Sequence, residues 1–131
     1  MYIKNIMSSK IVTIHGDATI LEACKKYRDH KVGSIFITIN DELAGIVTER
    51  DLIERSMCNM LDIKTAKVKE IMSHDLITID LLDKVENAIE KMKANKIKKL
   101  AVVDGDELVG IVTLTDIAYS RPSIKNYIQP G

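Results

Sequence analysis

A chain of 131 residues holds one ordinary domain or two small units sharing a core, and at 46% hydrophobic and 29% charged it is globular rather than disordered. Nineteen basic residues balance nineteen acidic ones, so no net field selects nucleic acid or an anionic membrane, and apolar runs of four to six residues exclude a membrane-spanning helix. The opening Met-Tyr-Ile-Lys-Asn-Ile-Met lacks the features of a signal peptide, and Cys24 and Cys58 have neither metal-ligand spacing nor scaffold density, which reads as two buried or half-buried thiols in a reducing cytoplasm.

Taken in chain order, "KIVTI" is a short β-branched run and predicts a strand. Ile20, Leu21, Ala23, Cys24 and Tyr27 then fall at helical spacing, with Asp17 or Thr19 placed to cap the helix. "SIFITI" predicts a buried strand, "NDEL" a tight hairpin turn, and "LAGIVT" its antiparallel partner. A helix follows from Glu49 to about Met57, and residues 58–67 form a connector.

From there the pattern begins again. "DLITI" predicts a strand, and Val85, Ala88, Ile89 and Met92 a helix with Asp83 as its cap. "LAVV", the turn "GDEL" and "LVGIVT" predict a second hairpin, and a helix runs from Leu114 to about Ser120, ended by Pro122. Aligning positions 4–53 with 69–118 needs no gap and gives 17 identities in 50 positions, among them Gly45, Ile46, Val47, Thr48 and Asp51. This is a duplication, and two copies of about 60 residues favour a pseudo-two-fold pair over an extended array. The expected fold class is therefore α+β, with β-α-β-β-α written twice and the domains at 1–60 and 61–131, the second including the connector and C-terminal tail. Neither half has enough apolar surface to stand comfortably alone, so the two are expected to pack face to face.

The duplicated motif "G-I-V-T-x-x-D" places Thr48 with Asp51, and Thr113 with Asp116, where a strand gives way to a helix. One reading is a capping box, although Asp is a methylene shorter than the usual Glu, which makes the motif imperfect as a cap alone. The other reading is a ligand site. A helix N-terminus offers unpaired amides to an anion, and a carboxylate accepts two hydrogen bonds from a vicinal diol, so threonine and aspartate together suit a ribonucleotide.

The duplicated unit, opened by "IMS", carrying "VTI" in its first strand and closed by "G-I-V-T-x-x-D", resembles a tandem pair of cystathionine-β-synthase (CBS) domains, also called a Bateman module, over about residues 2–120. The resemblance implies binding of an adenine nucleotide such as AMP, ADP or ATP, or of S-adenosylmethionine, in clefts between paired repeats. It assigns one cleft to Thr113, Thr115 and Asp116 with Val12, Val32, Gly33 and Ser34, and the other to Thr48, Arg50 and Asp51 with Ile77, Ile97, Lys98 and Lys99. Aspartates would hold ribose, apolar residues adenine, and threonines or basic groups phosphate. Gly33 leaves room for a ring where its counterpart Lys98 does not, which favours the cleft closed by Asp116. Many relatives carry a proline in the second strand; "SIFITI" and "LAVV" have none.

Other features point away from chemistry. Lys91, Lys93 and Lys96 complement a helix C-terminus, and Arg121 and Lys125 read as surface charges. His15, His30 and His74 are not spaced as metal ligands, and no nucleophile–base pair suggests catalysis. Met7 and Met72 read as core or dimer-contact residues, and Ser8 and Ser73 as turn or cap residues. The expectation is a stand-alone, cytoplasmic, non-enzymatic sensor of adenine nucleotides, homodimeric, without cofactor or metal, acting on a client protein. Its alternatives are a ligand-free dimerisation or interaction module and an S-adenosylmethionine sensor; balanced charge and only 4% aromatics argue against nucleic acid as partner.

Overall fold

The computed structural model describes residues 1–74 and 76–120, and the expectations for Pro122, Arg121 and Lys125 lie outside them. In the first copy, β1 (Thr13–His15), α1 (Ile20–His30), β2 (Ser34–Ile39) and β3 (Glu42–Thr48) are followed by the short α2 (Glu49–Asp51), which runs directly into a π-helical turn at Leu52–Met57. The second copy repeats this as β4 (Thr78–Asp80), α3 (Val85–Asn95), β5 (Lys99–Asp104), β6 (Glu107–Thr113) and α4 (Leu114–Ser120). Each copy builds a three-stranded sheet with its middle strand parallel to the first and antiparallel to the third. The α+β class and the doubled β-α-β-β-α order hold. The first strands are shorter than "KIVTI" and "DLITI", because Val12 and Ile77 only flank them while still giving their carbonyls to Phe36 and Ala101.

Local chemistry explains the elements. Thr19 caps α1 in a full capping box: its hydroxyl accepts from the Glu22 amide at 3.1 Å and Glu22 returns to the Thr19 amide at 3.3 Å. Both long helices end on a left-handed lysine, Lys31 and Lys96, each with φ of 53°. In the first hairpin Asn40 and Asp41 both take positive φ, 53° and 63°, as a two-residue turn matching strand twist requires; in the second only Gly105 does, at 63°. The cap expected at Asp83 moves one residue on. Lys84 lies in an isolated bridge with Tyr2, so α3 begins at Val85, whose amide bonds to the Met1 carbonyl at 3.1 Å. Asp83 instead accepts from the Lys84 amide and the Asn87 side chain, which lowers its pKa. Cys58, expected buried or half-buried, is exposed, since it follows the π-helical turn out into the connector.

The chain forms two compact units whose limits are not those of the repeats. One is Ile11–Leu76; the other joins Met1–Lys10 to the chain from Ile77 onward. Each repeat thus lends its opening segment to the unit built on the other. Ile3 is buried among Ile79, Val85, Leu100 and Val112, while Val68, Ile71 and Met72 are buried among Ile14, Ile20, Ile35 and Val47. The backbone bonds correspond one to one. The Ile3 and Lys4 amides reach the Asp83 and Leu81 carbonyls, both at 2.9 Å; Val68 and Lys69 reach Ala18 and Gly16 at 2.8 and 3.1 Å. Ser8 pairs with Ile111, and Ser73 with Ile46, in antiparallel bridges along the outer edges of β6 and β3. Ser8 and Ser73 therefore pair along sheet edges, and Ser8 is also the turn residue expected, its hydroxyl accepting from the Lys10 amide at 3.2 Å.

This closure explains the motif glycines. A Cβ on Gly45 would stand 2.6 Å from the Ser73 carbonyl oxygen and 2.8 Å from Met72 Sδ; on Gly110, 2.7 Å from the Ser8 oxygen and 2.8 Å from Met7 Sδ. Gly45→Ala and Gly110→Ala should each destabilise the protein by about 1–3 kcal/mol, because neither backbone can retreat without breaking the bridge beside it. Urea denaturation measures this, and an unchanged midpoint would show that the opening segments are not held against the glycines.

Candidate functional site

Both Thr-x-x-Asp motifs fold into capping boxes. In the first, the Thr48 amide donates to Asp51 Oδ2 at 2.9 Å, the Thr48 hydroxyl reaches the same oxygen at 3.2 Å, and the Asp51 amide returns to Thr48 Oγ1 at 3.4 Å. In the second, Thr113 donates to Asp116 Oδ2 at 2.9 Å and Asp116 returns at 3.1 Å. The short side chain is no handicap, which corrects the expectation that Asp makes the motif imperfect as a cap: both bonds from threonine amide to carboxylate form at 2.9 Å. The extended backbone at Thr48 (φ −110°, ψ 170°) brings its amide over the helix start, within reach of a carboxylate on one methylene.

Capping uses one oxygen of each carboxylate. Asp51 Oδ1 faces Arg55 Nε at 3.6 Å, whereas Asp116 Oδ1 has no hydrogen-bond or ion-pair partner among the described residues. Both carboxylates are half-buried. Behind the first motif, the Tyr27 hydroxyl donates to the Val47 carbonyl. Burial, followed by the negative charges of Asp51 and Glu49, pushes the Tyr27 pKa above its ordinary range, so the phenol stays a neutral donor. Its counterpart in the second copy is Met92, which offers no such bond.

Within each unit the strand register gathers residues from both expected sets. Ser34 lies opposite Thr48, and Val12 gives its carbonyl to Phe36 two residues further along β2, so Val12, Val32, Gly33 and Ser34 share a unit with Thr48, Arg50 and Asp51. In the other unit Lys99 lies opposite Thr113, and the Lys98 carbonyl accepts from the Leu114 amide at 2.9 Å. Ile77, Ile97, Lys98 and Lys99 there share a unit with Thr113, Thr115 and Asp116. Thr115 and Lys98 are exposed, and Ser34 is buried. Arg50, expected at phosphate, holds Glu54 at 2.9 Å, one turn on. The residue that sequence reasoning missed is Arg55; nothing in a strand-end motif signals a guanidinium four positions downstream.

No group of three or more His, Cys, Asp or Glu among the described residues is arranged to hold a metal ion, and no described helix is long and apolar enough to cross a membrane. The CBS domain model matches the chain twice, at residues 3–57 and 68–122. The chain belongs to the CBS-domain family. It is 33% identical over 121 residues to the CBS domain-containing protein YhcV of Bacillus subtilis, covering 92% of this chain and 86% of that protein. Among solved structures, it superposes on the CBS domain protein PAE2072 of Pyrobaculum aerophilum, complexed with AMP, with a TM-score of 0.83, 26% identity, and coverage of 96% and 97% of the two chains. The CBS domain pair of protein MJ0100, in complex with 5′-methylthioadenosine and S-adenosyl-L-methionine, gives a TM-score of 0.80 at 29% identity, with coverage of 94% and 97%. A tandem CBS pair is thus the fold of this protein.

Proposed function

We propose that this protein is a regulatory module that binds an adenine nucleotide, AMP, ADP or ATP, reversibly and without turning it over. The observation that carries the reading is the Asp116 carboxylate, which uses Oδ2 to cap its helix and keeps Oδ1 unpaired among the described residues. An open carboxylate oxygen beside a threonine hydroxyl matches the two donors of a ribose diol. The ligands in the PAE2072 and MJ0100 complexes share that group: AMP, methylthioadenosine and S-adenosylmethionine are all adenosine derivatives. In this reading Asp116 takes the ribose hydroxyls, Thr113 and Thr115 stand next to it, and Lys98 and Lys99 of the same unit lie toward phosphate. Asp51, with Thr48 and Arg50, forms the corresponding motif of the other unit.

Binding that engages a motif carboxylate favours whichever state of the module holds it open, and a client protein reads that shift. The MJ0100 complex supports a second reading, an S-adenosylmethionine sensor, in which the diol contacts are the same and the phosphate-side lysines are not used. We also read the module as a homodimer. Exposed Ile53 and Met57, one turn apart, supply apolar surface for a second copy, and a monomer by light scattering at micromolar concentration would contradict this.

Asp116→Asn separates binding from capping, since the amide oxygen can still accept the Thr113 bond. Stability should stay within about 0.5 kcal/mol of the parent, while calorimetric affinity for the preferred nucleotide should fall at least about tenfold, the cost of replacing a charged acceptor. Equal affinity for parent and variant would leave Thr113 and Asp116 as a helix cap only.

A further inference from the structure

The two motifs are identical in sequence through Gly-Ile-Val-Thr-x-x-Asp but differ four residues beyond the aspartate, where the first copy has Arg55 and the second Ser120. Arg55 is anchored at both ends of its reach. Its Nη1 donates to the Met72 carbonyl at 3.1 Å and the Ile71 carbonyl at 3.4 Å, and its Nε lies 3.6 Å from Asp51 Oδ1. Ser120 turns inward and donates to the Ile117 carbonyl at 2.8 Å, leaving Asp116 Oδ1 unpaired among the described residues. The Asp51 side chain is 15% exposed, against 51% for Arg55, so the carboxylate is shielded while the guanidinium has solvent to move into.

We infer that Arg55 is an internal competitor for the Asp51 carboxylate, so that the first Thr-x-x-Asp motif is latched and the second is open. This rests on the nucleotide reading above. A ribose diol needs the carboxylate oxygen that capping leaves over, and in the first copy that oxygen already faces a cation. A diol arriving at Asp51 must displace the guanidinium, exchanging a charged partner for neutral hydroxyls. At Asp116 it displaces no partner among the described residues. The second motif therefore fills first. Filling the first is also coupled to structure, because the guanidinium that leaves Asp51 is the one holding the Ile71 and Met72 carbonyls of the opening segment lent by the second repeat. A low ligand concentration occupies the open motif; a higher one loosens that segment.

The test uses the full chain and titrates AMP, ADP and ATP by calorimetry, with Asp116→Asn silencing the open motif. Adding Arg55→Ser, which copies position 120, should tighten the residual binding about fivefold, the scale of one partly shielded ion pair. Arg55→Lys, which keeps the charge but cannot reach the two carbonyls and the carboxylate together, should fall between. Urea midpoints confirm that each variant is folded. Unchanged or weaker affinity in the Arg55→Ser background would overturn the latch, the weaker result assigning Arg55 to the ligand instead. No binding with Asp51 unlatched, where the parent binds, would overturn it too. A parent that binds none of the three fails the nucleotide reading, and the latch with it, before any Arg55 variant is compared.

Discussion

The opening segments run hard against the motif glycines: a Cβ on Gly110 would stand 2.7 Å from the Ser8 carbonyl oxygen, and one on Gly45 2.6 Å from that of Ser73. A three-stranded sheet in the order first, second, third leaves the third strand as an edge with unpaired amides and carbonyls. The borrowed opening segment covers that edge with a two-way bridge, and only a residue without a Cβ lets it come so near. Once the segment is seated, Ile3, or Val68 with Ile71 and Met72, closes the core under the sheet. The same strand then runs three residues past the glycine to the threonine that starts the next helix. Core, sheet edge and candidate site are thus set by one contact, made twice.

The aspartate of the motif serves two roles with two oxygens. One fixes the helix start; the other is left for whatever the surroundings offer, and the two copies differ in what that is. Both copies carry the capping bonds, and they differ at positions 55 and 120, where Arg55 faces Asp51 Oδ1 and Ser120 donates to the Ile117 carbonyl. A cap stabilises its helix start by about 1 kcal/mol, and both copies keep it whatever faces the second oxygen.

Much of this was legible in the sequence. The gapless 65-residue shift gave the repeat, and the identities it exposed turn out to be paired structural devices. Lys26 and Lys91 both donate to the threonine carbonyl of their own first strand, Thr13 and Thr78, at 2.9 and 2.7 Å. Lys31 and Lys96 both end their helices in the left-handed region. The exchange of opening segments was not legible, for a physical reason: "IMS" and "G-I-V-T" occur in both copies, so the same residues satisfy the contact within a repeat or across repeats. The cap expected at Asp83 falls on Lys84 because a long-range bridge from Tyr2 overrides a local preference, and Arg55 was not legible because its partners, Ile71 and Met72, lie 16 and 17 residues away.

The central claim is that Asp116 receives the ligand. A titration of ¹⁵N-labelled protein with AMP, followed by amide resonances, addresses it residue by residue. The account predicts saturable shifts of the Thr113, Thr115 and Asp116 amides at lower AMP concentration than any shift of Thr48 or Asp51. Shifts that begin at Thr48 and Asp51, or that leave both motifs untouched while the protein binds, would contradict it.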